Sequence, residues 1–165
     1  MKKIIITVFV VLFVALAAAG GFLLYQSNQQ AGELKEKEGL TALRTDVTNL
    51  NATGKYDEGL NKVNAYLATA KDPKNKLEAL LHKGALLETS GKHREARDVY
   101  REAEAVSEER QPGVIVGIAR TSEQIGDKKM AAVYYHKAAD VFQSQGAAES
   151  FGNFYRVKAK ALEKS

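Results

Sequence analysis

Residues 91–103 read GKHREARDVYREA. Five of the thirteen positions are basic, counting His93, and a tyrosine stands among them, which suits a nucleic-acid patch or the wet face of a helix. The small residues decide between the two. Gly91 is followed by Ala96, Tyr100 and Ala103, and the same types return 35 positions later as Gly126, Ala131, Tyr135 and Ala138. The charges between them change while the spacing stays, so the spacing carries the information.

Working outward, LLHKGALLETSGKHREARDVYREAEAV (80–106) lies over VGIARTSEQIGDKKMAAVYYHKAADV (116–141). An earlier copy occupies 43–73, with Gly54, Tyr56, Gly59, Val63 and Tyr66 in the matching slots, 37 residues before the second copy. A period of this length without a strand pattern predicts stacked helical hairpins. Each copy reads as two amphipathic helices joined at Gly54, Gly91 or Gly126, where a left-handed backbone is cheap for glycine. Gly59, Ala96 and Ala131 are small so that the second helix can lie against the first. In the first helices, Leu40, Leu43, Val47 and Leu50 follow a 3.6-residue spacing, and Leu77, Leu80, Ala85 and Leu87 do so more loosely.

This pattern resembles the tetratricopeptide repeat (TPR) family over about residues 40–142. The second copy is the nearest match, through Gly84, Leu87, Gly91, Ala96, Tyr100 and Ala103. The third has Ala119 where glycine is usual and Ser122 where an aromatic is usual; the first ends in Asp72-Pro73. The resemblance implies an all-α, right-handed superhelical array of about three TPR hairpins (40–75, 76–110 and 111–146). A capping helix over 147–165 completes it. In that last helix Phe151, Phe154, Val157 and Leu162 are expected to face the array, and Arg156, Lys158, Lys160 and Lys164 to face water. The family's carboxylate clamp is not reproduced: its positions hold Arg44, Thr48, His82, Gly113 and Gly117, of which Arg44 alone fits.

Before the repeats, Ile4–Tyr25 is apolar apart from Thr7, and no charge occurs between Lys3 and Glu33. As a helix it reaches about 33 Å, enough for a hydrocarbon core of about 30 Å. The expectation is a transmembrane signal-anchor over 1–25 and a polar linker over 26–39. The chain is then single-pass in a bacterial inner membrane, N-in, with the repeats in the periplasm or exterior. The alternative is a signal peptide cleaved near ALA or AAA (15–19), leaving a soluble periplasmic protein.

The chain contains no cysteine, which excludes disulfides and thiol chemistry. Beyond Lys2 and Lys3, 22 basic residues face 20 acidic ones with the signs interleaved, so no nucleic-acid partner is expected. His82, His93 and His136 have no metal-ligand spacing, and His93 falls in the slot of Tyr56. Glu108-Glu109 read as connector charge. No cofactor, metal or small-molecule substrate is expected, and no catalytic dyad or triad is present, so the chain reads as non-enzymatic.

The first helix of each hairpin lines the concave face in such arrays. Counting back from the turn glycines gives the candidate partner-binding set: Arg44, Thr48 and Asn51; Leu81, Ala85 and Glu88; Val116, Arg120 and Glu123. The expected function is a membrane-anchored, extracytoplasmic scaffold that binds another envelope protein or peptide and supports a membrane complex. The alternative is a soluble periplasmic adaptor or chaperone-like carrier.

Overall fold

The computed structural model describes the backbone of residues 2–107 and 110–164, and side-chain surroundings from residue 20 onward within those bounds. The described residues form seven helices and no strand: α1 (Lys2–Ala52), α2 (Tyr56–Leu67), α3 (Pro73–Thr89), α4 (His93–Val106), α5 (Pro112–Gln124), α6 (Lys128–Ser144) and α7 (Glu149–Glu163). The chain divides into two units, residues 1–38 and 39–165.

In the first unit the described side chains are nearly all exposed, among them Phe22, Leu23, Leu24, Tyr25 and Leu34. The polar stretch 26–38 is helical here. Most of the anchor expected over 4–25 lies outside the residues whose side chains are described. Among the described residues no helix is long and apolar enough to cross a membrane. The apolar part that is described stops at Tyr25, and polar then charged residues follow on the same helix. The single-pass, N-in inner-membrane placement is corrected on that ground.

In the second unit, consecutive helices from α2 to α7 pack on one another, and α3 also meets α5. Each hairpin turns at a glycine with positive φ: Gly54 at 72°, Gly91 at 79° and Gly126 at 81°; Gly146 at 70° closes α6. The helix ends share one hydrogen-bond pattern. Lys92 N–H donates to Leu87 O at 2.8 Å and Gly91 N–H to Glu88 O at 3.0 Å. The pair recurs at Lys55/Gly54, Asp127/Gly126 and Ala147/Gly146, satisfying carbonyls that the helix leaves open. Asp72-Pro73, which reads in the sequence as a unit's close, also starts the next one. Pro73 is the first residue of α3, and the Asp72 carboxylate accepts from Lys74 N (2.8 Å) and Asn75 N (3.1 Å).

The core follows the repeat. Leu40, Leu43, Val47, Val63, Ala79 and Leu86 form the first cluster, and Leu80, Leu87, Ala96, Tyr100, Ala103, Val114 and Ile118 lie in the second. Ala119, Ala131, Ala132, Tyr135 and Ala159 join α5, α6 and α7. Arg97 of α4 is only 20% exposed and lies 3.6 Å from Asp127 at the next turn. The expected orientation of the last helix holds only for Leu162, which packs on the array, and for Lys160 and Lys164, which are exposed. Gly152 and Ala159 are buried, while Phe151, Phe154 and Val157 are 54%, 55% and 67% exposed. The face of α7 turned to α6 carries small residues, and a Cβ on Gly152 would make ordinary contact with Ala139 O at 3.5 Å.

Candidate functional site

One face of α3 is the spine of the site. Lys74, Leu77, Glu78, Leu81, Ala85, Glu88 and Thr89 recur every three or four residues, so they share one side of the helix. Two open clefts of about 450 Å³ each lie along that side. The first is lined by Pro73, Lys74, Leu77, Glu78 and Leu81 with Val106, Ser107 and Gln111. The second is lined by Ala85, Glu88 and Thr89 with His93, Arg120 and Gln124. From Leu77 to Glu88 the helix rises about 16 Å. The surface therefore offers an apolar end and a charged end on one continuous stripe.

The charged end is built as a clip across two hairpins. Glu88 Oε2 accepts from the Tyr100 hydroxyl of its own hairpin (3.2 Å) and from Arg120 Nη2 of the next (2.6 Å). Arg120 Nε also donates to Glu88 Oε1. The same arrangement returns 35 residues on. Glu123 Oε2 accepts from the Tyr135 hydroxyl (2.5 Å) and from Lys158 Nζ of α7 (3.0 Å). Lys158 donates to the Tyr135 hydroxyl as well, at 3.2 Å. Each clip holds a cation in the inner surface and neutralises it with a neighbour's carboxylate.

The electrostatics follow from this geometry. The Glu88 hydrogen bond pushes the Arg120 guanidinium above its usual range, against partial burial. Burial alone pushes the Glu123 carboxyl up, but the Tyr135 hydroxyl and Lys158 outweigh it and hold it below the ordinary carboxylate value. Burial, then the Glu123 hydrogen bond, pushes the Tyr135 phenol up to about 12. Tyr100 is raised too, by burial first and then by Glu88. The phenols therefore remain protonated donors at neutral pH.

The structure brings Ala85, Glu88 and Arg120 together at one cleft and puts Leu81 at the other. Arg44 is bound to Glu78 Oε1 through Nε (2.8 Å) and Nη2 (2.5 Å), and so flanks the first cleft. Glu123 belongs to the second clip. Thr48 is exposed, with its hydroxyl turned back onto Arg44 O at 2.8 Å. Asn51 Oδ1 is buried without a hydrogen-bond partner among the described residues. Val116 turns away, packing beside Ile115, Ala138 and Val141. His93, in the slot of Tyr56, lines the second cleft with its Nδ1 buried. The Glu108-Glu109 pair lies outside the described residues. Among the described residues no group of three or more His, Asp or Glu stands close enough to hold a metal ion.

The sequence reading missed Glu78, Tyr100, Gln124 and Lys158 as parts of this surface. Glu78 was accessible as the residue one turn before Leu81. Glu88 and Tyr100 recur at the same 35-residue offset as the packing glycines. Lys158 had no such signal, because it stands 38 residues after Arg120 and out of register with it.

No family model matches the sequence, and no curated protein matches it either. Solved structures do match. The crystal structure of PcrH from Pseudomonas aeruginosa superposes with a TM-score of 0.62 at 21% identity, covering 75% of this chain and 91% of that one. PcrH in complex with the chaperone binding region of PopD gives a TM-score of 0.65 at 19% identity, covering 78% and 93%. At this identity the likeness carries the fold: an all-helical, TPR-like repeat array.

Proposed function

We propose that the chain is a protein-binding adaptor of chaperone-like type, which holds a segment of another polypeptide along the inner face of α3. The observation that carries this reading is the continuous stripe from Leu77 and Leu81 to Glu88 and Arg120, flanked by open clefts at both ends. An apolar socket orients one anchor side chain, and the paired charges offer hydrogen-bonding groups about three to five extended residues further on. Both rungs are internally neutralised, so the face selects for shape and an apolar anchor rather than for net charge. The likeness to PcrH, crystallised with the chaperone binding region of PopD, supports a peptide occupant. The role proposed is binding, not catalysis: Glu88 and Arg120, the charged pair of the second cleft, are held by one another and by the Tyr100 hydroxyl.

Selection of a displayed peptide library against the full-length protein tests the reading. Peptides with an apolar anchor are expected, and Leu81→Glu or Arg120→Glu should weaken their binding at least tenfold. Binding indifferent to both substitutions would overturn the assignment of this face.

A further inference from the structure

We infer that the outward face of α7 is a self-association surface, on which a second copy of the chain docks its own α7 antiparallel across a two-fold axis. Helix α7 stands in register with the first helices of the hairpins, since Gly152 follows Gly117 of α5 by 35 residues. In α5 the residues 35 before Phe154 and Val157 are Ala119 and Ser122, both fully buried. Ala119 packs there with Ala131, Ala132 and Tyr135 of α6. Phe154 and Val157 thus occupy positions that a neighbouring helix covers in α5, yet they stand 55% and 67% exposed.

The face has the form of a helix-packing seam. Ser150, Phe154, Val157 and Ala161 follow a spacing of four, three and four, which makes one stripe with small residues at its ends. Phe151 on its edge is braced by a stack with Phe142, ring centres 5.8 Å apart, and Phe154 meets Tyr155 edge-on at 5.1 Å. The rings are therefore held outward by the array.

Charge selects the occupant and its direction. Along one flank run exposed Glu149 near the N-terminus and exposed Lys160 and Lys164 near the C-terminus. An antiparallel pair with its axis between Phe154 and Val157 sets Glu149 beside Lys160 and Lys164 of the second copy, twice, and brings Ser150 against Ala161 of the second copy. Such an isologous arrangement is self-complementary. One helix face covers less than the roughly 800 Å² per partner of a standard interface, so the association is weak and transient.

The chain has no cysteine, so single thiols report the register in the full-length protein. Ser150→Cys and Ala161→Cys proteins, mixed under mild oxidation, should form a disulfide-linked dimer. Ser150→Cys alone should not, because its two-fold mates stand about 16 Å apart along the helix axis. Adding Phe154→Glu, or Val157→Asp, to both should reduce the cross-link at least tenfold while leaving peptide binding on α3 unchanged. Glu149→Lys and Lys160→Glu should each weaken association alone and restore it when the two proteins are mixed. The inference is overturned by no cross-link from the mixture, by equal cross-linking of Ser150→Cys alone, or by a cross-link that survives Phe154→Glu. It is also overturned if the uncross-linked chain instead binds phosphatidylglycerol vesicles through Phe154, which would make the face a lipid-docking one.

Discussion

The ring of Tyr100 fills the space that a side chain on Gly84 would need. A Cβ at Gly84 would lie 2.5 Å from Tyr100 Cε1 and 2.7 Å from Cζ. The ring cannot retreat, because a Cβ on Gly117 of α5 would meet its other side at 2.8 Å. Tyr100 is thus a wedge between two helix backbones, with its hydroxyl fixed on Glu88. Gly84→Ala should destabilise the fold by roughly 1–3 kcal/mol, even though alanine is the better helix former by about 1 kcal/mol. Urea denaturation gives the value, and in a Tyr100→Leu background the penalty should shrink.

The third hairpin makes a contrasting case. Ala119 stands where the second has Gly84, and Gly152 stands where it has Gly117. A Cβ on Gly152 would meet Ala139 O at 3.5 Å and Arg156 Nη1 at 3.8 Å, ordinary contact distances. Gly152→Ala should therefore be neutral or stabilising by up to about 1 kcal/mol, through helix propensity. A loss above that amount would mean that α7 lies closer to α6 than described.

The second clip should make stability depend on pH in the acid range. The Glu123 carboxyl is held low by Tyr135 and Lys158 against the opposing effect of burial. A depressed carboxyl stabilises fully above its unfolded value of about 4.3, and the contribution is lost as pH falls through the folded value. Wild type should exceed Glu123→Gln by roughly 1 kcal/mol at pH 7, and the gap should close below about pH 4. Thermal melts of both proteins from pH 3 to 7 measure it; a constant gap would show that the clip works through shape alone.

Alkaline titration should separate the tyrosines. Burial first, then Glu104 for Tyr134 and Glu123 for Tyr135, pushes both phenols up to about 12. Exposed phenols titrate near 10. A raised phenol stabilises the fold fully below the unfolded value, and that contribution is lost as pH rises through the folded one. Phenolate absorbance from Tyr134 and Tyr135 should therefore rise near 12, accompanied by loss of helix. Glu104→Gln should move the Tyr134 part of that rise to lower pH.

The hairpins were legible because packing offsets repeat. A glycine turn, a small residue five positions on and an aromatic nine positions on survive in the second and third copies whatever the charges do. The site was legible only in part. Counting back from the turns finds Leu81, Ala85, Glu88, Arg120 and Glu123, but not that the charged ones clasp each other, since each partner comes from a neighbouring hairpin. The last helix misled for a physical reason. Hydropathy favours the bulkier face with Phe151, Phe154 and Val157, whereas the face that packs on α6 carries Gly152 and Ala159. Membrane placement was read from hydropathy in a stretch whose side chains lie mostly outside the described residues.

The first hairpin lacks the clip, and its absence predicts how to add one. Asn51 stands in the slot of Glu88, Val63 in that of Tyr100 and Ala85 in that of Arg120. Asn51 Oδ1 is consequently buried without a hydrogen-bond partner among the described residues. Asn51→Leu removes that oxygen and should stabilise the protein by about 1 kcal/mol. Asn51→Glu alone should destabilise, since it puts an unpaired carboxylate where no cation waits. Combined with Ala85→Arg it should recover, because the new pair reproduces Glu88 with Arg120 one hairpin earlier. A double-mutant cycle should then give a favourable coupling of about 1 kcal/mol. Zero coupling would mean that the rung needs the tyrosine hydroxyl as well as the two charges.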